Sequence, residues 1–228
     1  MEMEINMQYG EFVNVGVIVE DLNPFLFKRI QQTTKTFKDK FVGNTSSDML
    51  VQFHRRVDGY DEDHSIPADL KEDITKEILR LIDLHEDRYG YFSRIFNFVT
   101  ELAPGKIQFE LERLWVNIQR KGEFLPIHTH TGIYSFVIWT DVPFNIEDEY
   151  KSTPNPTTDK GRAGYFQFLY TDALGKITTL NLPVDKRWEG RICLFPAELN
   201  HQVYPFYSSN DVRVSISGNV RVRPHAKF

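Results

Sequence analysis

The sequence predicts a mainly β chain with some α, a barrel of short strands carrying helices packed on its outside. Three observations predict it. From Ile107 onward apolar and polar residues alternate in short runs separated by turn residues, the period of strands with two unlike faces. Before that, two stretches carry apolar residues at three- and four-residue spacing, the period of amphipathic helices. Aromatic residues make up 14% of the chain, with 18 Phe and 10 Tyr, which suits a β-rich interior more than a plain helical bundle.

Taken in order, Gly16 to Glu20 reads as a short strand that ends at Asp21-Leu22-Asn23-Pro24, where an Asx residue before proline starts a helix. That helix runs to about Phe41, with Phe27, Ile30, Thr34 and Phe37 as its buried stripe, and a turn at Gly43-Asn44 ends it. Asp58 to Pro67 is an acidic loop. A second helix begins near Pro67, with Leu70, Ile74, Ile78, Leu81 and His85 on one face and Lys71, Glu72, Lys76, Glu77 and Arg80 on others. His85 reads as a hydrogen-bonded edge residue of that stripe rather than a ligand.

The strands follow. Trp115, Asn117 and Gln119 form a polar-aromatic face against the apolar Leu114, Val116 and Ile118. Further strands are expected at Ile133 to Trp139, Gly164 to Tyr170, Lys176 to Leu180, Gly190 to Phe195, Gln202 to Tyr204 and Val212 to Val222. Pro143 to Arg162 is read as one long loop, a length that suits a lid or binding loop, with Asp141 just before it and Glu147, Asp148, Glu149 and Tyr150 on its first half. Trp115, Tyr134, Phe136 and Tyr165 read as core rather than as a substrate platform. Arg221, Arg223, His225 and Lys227 read as the wet face of the last strand. No repeat, low-complexity segment or linker divides the chain, so residues 1–228 are expected to form one domain, with 1–105 a helical scaffold portion and 106–228 the barrel core.

Composition excludes several classes. Hydrophobic residues at 41% and charged ones at 26% describe a folding globular chain, not a disordered one. A net charge of −5 makes a nucleic-acid partner a poor expectation, because phosphate binding draws on clustered Lys and Arg. Cys193, the single cysteine, sits in an apolar run and reads as a small core residue. Without a disulfide framework, a signal-peptide pattern or an apolar stretch of the ~20 residues that span a bilayer, a cytoplasmic location with no membrane partner is expected.

Chemistry concentrates in two segments. His128 and His130 are two apart in an extended stretch, so both side chains point the same way, which is metal-ligand spacing. A third ligand must come from elsewhere, and His201 follows an apolar strand and a turn. The segment from Gly190 through Pro196 to His201 resembles the second metal motif of cupins, with Glu198 where those carry glycine. Together the two segments point to a double-stranded β-helix, a jelly-roll or cupin-like barrel. Twelve residues on stands Arg213, able to grip a carboxylate through two parallel hydrogen bonds, with Ser215 two residues further on the same face.

In chain order, Trp115-Val116-Asn117, His128 and His130, Ser135-Phe136-Val137, Phe195-Pro196, His201-Gln202-Val203-Tyr204-Pro205, Arg213-Val214-Ser215 and Asn219-Val220 resemble the motifs of the 2-oxoglutarate- and iron(II)-dependent oxygenases. They are most similar to those of the small bacterial and phage, prolyl-hydroxylase-like branch. The resemblance covers about half the chain, from Leu114 to Val220. It implies that His128 and His201 bind iron(II), and that Arg213 with Ser215 binds the distal carboxylate of 2-oxoglutarate. Gln119 stands near the place where prolyl-hydroxylase relatives often carry a tyrosine that touches the cosubstrate, and Asn117 is assigned with it to the cosubstrate site. The implied activity is a dioxygenase reaction that uses O2, turns 2-oxoglutarate into succinate and carbon dioxide, and hydroxylates a C–H bond of a peptide or small molecule.

His130 departs from the superfamily, which has a carboxylate there. It is either the third iron ligand, or a hydrogen-bond donor beside a position left to water, or it yields to a carboxylate such as Glu198, Glu147 or Glu149; the first is the reading adopted. Two rival functions are a cupin-type metalloenzyme that does not use 2-oxoglutarate and a jelly-roll binding module without catalysis. Arg213 and Ser215 speak against the former, and the latter predicts that the three histidines do not cluster.

Overall fold

The structure, a computed structural model, describes residues 14–43, 55–56, 66–96, 107–154 and 161–224. The expected turn at Gly43-Asn44, most of the acidic loop from Asp58, and His225 with Lys227 lie wholly or partly outside the described residues. Strand β1 (Ile18–Asp21) leads into helix α1 (Pro24–Gly43), and Asn23 caps it by accepting from the amides of Phe25 at 2.9 Å and Leu26 at 3.4 Å. After the two-residue β2 (Arg55–Arg56) comes α2 (Ala68–Tyr89), ended by Gly90 in the left-handed conformation, and the short α3 (Tyr91–Ile95).

The barrel is built from β3 (Ile107–Gln119), β4 (Leu125–His128), β5 (Tyr134–Asp141), β6 (Phe166–Thr171), β7 (Ile177–Leu182), β8 (Arg191–Pro196), β9 (His201–Val203) and β10 (Arg213–Pro224). They form two antiparallel sheets, a major one in the order β1-β8-β5-β10-β3-β2 and a minor one in the order β4-β9-β6-β7. This is the double-stranded β-helix, and most strand boundaries fall within two residues of the sequence expectation. The expected loop from Pro143 to Arg162 differs: its first half is a helix, α4 (Ile146–Ser152), set between β5 and β6. Its two turns are too short to register as a period in sequence, and tertiary contacts hold it.

Alternation on the major sheet separates two cores. Tyr134, Phe136, Ile138, Ile192, Leu194, Val214 and Ile216 pack against α1 and α2, which bury Ile30, Ile74, Ile78, Leu81 and Ile82. The opposite face sends Val137, Trp139, Cys193 and Phe195 against Phe166, Phe168 and Leu182 of the minor sheet. Each fully buried aliphatic or aromatic side chain is worth about 1.5–3 kcal/mol relative to exposure, so the helices are held by their stripes rather than by propensity. As expected, Tyr134 and Phe136 are core residues. Among the described residues no helix is long and apolar enough to cross a membrane.

His85 lies deeper than an edge residue. Its side chain is fully buried, with Nε2 donating to the Gly16 carbonyl at 2.9 Å and Nδ1 3.2 Å from the Tyr134 hydroxyl. Gly16 rests so close beneath Tyr89 that a Cβ there would meet the ring at 2.2 Å. The Tyr134 hydroxyl also donates to Glu86, which accepts from the amides of Phe92 and Ser93 as well. This polar knot ties β1, α2, α3 and β5 together.

Burial holds the His85 imidazole below its ordinary pKa of 6.5, against an opposing pull from the Gly16 hydrogen bond and the Glu86 charge. The unfolded chain therefore binds this proton more readily than the native one, and stability falls as pH drops below 6.5. In denaturant titrations, His85→Gln, which keeps a donor for Gly16, is expected to show a shallower loss of stability than wild type from about pH 6.5 to about pH 5.

Candidate metal centre and carboxylate cavity

Strand pairing assembles the histidines. His128 on β4 stands opposite His201 on β9, and the His130 amide donates to the Ala197 carbonyl at 2.8 Å, drawing the segment after β4 toward the β8–β9 turn. Gly132 then makes the exit turn at φ 99°, where a Cβ would meet the Val220 carbonyl oxygen at 2.6 Å, so glycine is required. Ring centroids are 4.2 Å apart for His128 and His201, 5.0 Å for His130 and His201, and 5.1 Å for His128 and His130. One ring nitrogen of each lies within 4.8 Å of the others, within reach of a single ion.

Hydrogen bonds set the tautomers. His128 Nδ1 meets the Pro126 carbonyl at 2.8 Å, and His201 Nδ1 meets the Leu199 carbonyl at 2.9 Å. A carbonyl only accepts, so in each ring the proton sits on Nδ1 and the neutral imidazole carries its lone pair on Nε2, the form a metal requires. Phe166 stacks on the His201 ring at 5.3 Å, and Trp115 leans on His130 at 5.6 Å. Three imidazole nitrogens suit a divalent first-row transition metal such as iron(II).

No carboxylate joins this cluster among the described residues. Glu147 pairs with Arg187 at 3.0 Å. Glu149 is fully buried and accepts from the Tyr207 and Ser208 amides at 2.5 and 2.9 Å. Glu198 bears on Tyr91, whose phenol is pushed up to about 12 by burial first and by that charge second. Glu147 and Glu149 are thus engaged elsewhere, and Glu198 is exposed and lies outside the histidine cluster.

A cavity of about 120 Å³ opens beside the histidines between the two sheets. Arg213, Ser215 and Ser217 line it from β10, and Trp115, Asn117 and Gln119 from β3, so the polar-aromatic face expected for β3 is its wall. Arg213 is 4% exposed; it donates to the Gly164 carbonyl at 2.7 Å and the Tyr204 carbonyl at 3.3 Å, and lies 5.8 Å from the Phe144 ring centroid. Burial pulls its pKa down to about 9, with the Glu149 charge opposing, so it remains a cation at neutral pH. Glu149 is already turned to Tyr207 and Ser208. A buried guanidinium in that position is stabilised by an anion entering the cavity.

Gln119 is 4% exposed and spends its amide nitrogen on the Glu123 carbonyl at 2.6 Å and the Tyr204 carbonyl at 3.4 Å. Its Oε1 is buried without a partner among the described residues. Gln119 therefore braces the same Tyr204 carbonyl that Arg213 uses. Sequence reasoning missed Ser217, although its place four residues after Arg213 on the same strand face was the available signal.

Residues 113–219 match the model of a family described as putative 2OG-Fe(II) oxygenase. No curated protein matches the chain in sequence. Among solved structures it is similar to a prolyl-4-hydroxylase of Pseudomonas putida, at 13% identity and TM-score 0.51 over 91% of this chain and 93% of that one. It is also similar to AviO1 from Streptomyces viridochromogenes Tue57, at 14% identity and TM-score 0.53 over 93% and 92% of the two chains. At these identities the structures speak for the fold alone. The family match covers the segment that carries the histidines and Arg213, and together with this double-stranded β-helix it supports the 2-oxoglutarate- and iron(II)-dependent oxygenase superfamily, whose members use iron(II) and 2-oxoglutarate.

Proposed function

We propose that the chain is an iron(II)- and 2-oxoglutarate-dependent hydroxylase that uses O2 on a C–H bond of a peptide or small molecule. The observation that carries this reading is a three-histidine cluster sharing one cavity with a buried, anion-seeking arginine. His128, His130 and His201 would hold the iron. Arg213 and Ser215 would grip the far carboxylate of 2-oxoglutarate, with Asn117 and Gln119 forming the adjoining wall. Iron(II), when bound, supplies the redox chemistry that couples oxidative decarboxylation of 2-oxoglutarate to hydroxylation.

The protein's own part is to bind, orient and exclude water. The fixed Nδ1–H bonds of His128 and His201 present Nε2 without a search over tautomers. Trp115, Trp139 and Phe166 line the cavity with apolar surface, which strengthens the attraction between Arg213 and a bound anion. Arg213 also favours this reading over a cupin-type enzyme without 2-oxoglutarate, because such an enzyme has no use for a buried carboxylate anchor. A peptide substrate is compatible with the fold shared with the Pseudomonas putida prolyl-4-hydroxylase.

Anaerobic titration with iron(II) and then 2-oxoglutarate, followed by a succinate assay, tests the reading through the charge-transfer band of the ternary complex. His201→Ala is expected to abolish iron(II) binding, while His130→Asp retains part of it. Unchanged iron affinity in His130→Ala would remove His130 from the ligand set.

Arg213→Gln is expected to weaken 2-oxoglutarate binding by about 30-fold or more, the cost of truncating one partner of a buried charge pair. It should also remove most of the rise in melting temperature that 2-oxoglutarate gives wild type. Equal affinity in wild type and Arg213→Gln would overturn the cosubstrate assignment.

A further inference from the structure

Resting on the reading above, we infer that Ser217 is a further cosubstrate-binding residue and that Asn117, held by Trp115, is a positioning residue. Asn117 turns the hydroxyls of Ser215 and Ser217 into donors toward the cavity. The geometry is a chain of hydrogen bonds with only one sense. Trp115 Nε1 can only donate, and it lies 2.9 Å from Asn117 Oδ1. That identifies the oxygen end of the amide. Its nitrogen end, Nδ2, then donates to Ser217 Oγ at 2.8 Å and to Ser215 Oγ at 3.3 Å.

A serine hydroxyl that accepts from Asn117 still has its own proton to give. Asn117 Nδ2 cannot take it, and the Asn117 oxygen faces the indole. Both serines line the cavity. Their register sets Ser215 opposite Asn117 and Ser217 opposite Trp115, so the indole that leans on His130 also stands across from Ser217. Arg213, Ser215 and Ser217 therefore form a row of donors along one face of β10, running from the buried guanidinium toward the histidines. A dicarboxylate lying along that row meets donors over its length.

Strand β3 plays the complementary part. The amide nitrogen of Asn117 is spent on the two serines, and that of Gln119 on the Glu123 and Tyr204 carbonyls. The oxygen of Gln119 is a buried acceptor in the same cavity, the wrong polarity for a carboxylate. In this division β10 touches the cosubstrate and β3 fixes how β10 points.

Anaerobic 2-oxoglutarate binding to the iron(II)-loaded protein, read from the charge-transfer band, tests both roles. Ser217→Ala is expected to bind 2-oxoglutarate about tenfold more weakly, the size of one hydrogen bond to a charged group, with iron(II) affinity kept within about twofold. In turnover the KM for 2-oxoglutarate should rise while kcat is largely kept. Asn117→Ala should weaken binding by about tenfold in wild type but by less than about twofold in the Ser215→Ala/Ser217→Ala background, because a residue acting through the serines has nothing to position once they are gone. Trp115→Phe, which keeps an aromatic ring beside His130, should reproduce a fraction of the Asn117→Ala loss. Unchanged affinity in Ser217→Ala, or a full Asn117→Ala effect in the double-serine background, overturns the inference and leaves the oxygenase reading intact. Absence of 2-oxoglutarate binding by wild type overturns both.

Discussion

A guanidinium buried between two β-sheets is the constraint around which the second half of this chain is arranged. Arg213 keeps its charge at neutral pH despite burial, and the surrounding elements each meet part of its cost. The turn before β6 offers the Gly164 carbonyl, the segment after β9 offers the Tyr204 carbonyl, and Phe144 covers it from the β5 side. Helix α4 brings Glu149, whose charge reaches Arg213 while its oxygens hold the Tyr207 and Ser208 amides in place. These contacts orient the cation without neutralising it, and the cavity it lines inherits an attraction for anions.

Strand β10 joins that site to the fold. Val214 and Ile216 point to the helix-packed core, and Arg213, Ser215 and Ser217 to the cavity, so a slip of one residue would exchange the two sets. Pairing with β3 on one side and β5 on the other fixes the register. The helices thereby reach the site indirectly. Their stripes on the outer face of the major sheet hold β10 in the register that keeps its donors inward.

Much of this was legible in the sequence because it depends on period. The stripes of α1 and α2, the two faces of β3 and the i, i+2 spacing of His128 and His130 are all one-dimensional patterns. What was hidden depends on contact. Helix α4 is too short to show a period, and the buried role of Glu149 there reads in sequence as one more acidic loop residue. His85 reads as the end of a stripe, whereas the Gly16 carbonyl and the Tyr134 hydroxyl make it a buried junction. The sense of the Asn117 amide cannot be read from residue order, since it depends on where the Trp115 indole, two residues back on the same strand, directs its N–H.

The same view of charge gives His130 a physical rationale. In the loaded site proposed here, three neutral imidazoles leave the iron dication to be balanced by dianionic 2-oxoglutarate. Glu149, of opposite charge to Arg213, lies near enough to oppose the fall in its pKa. The enclosed set is neutral, which is the least costly way to place several ions in a low-dielectric interior. A carboxylate in place of His130 would leave one uncompensated negative charge and would stabilise a more oxidised metal.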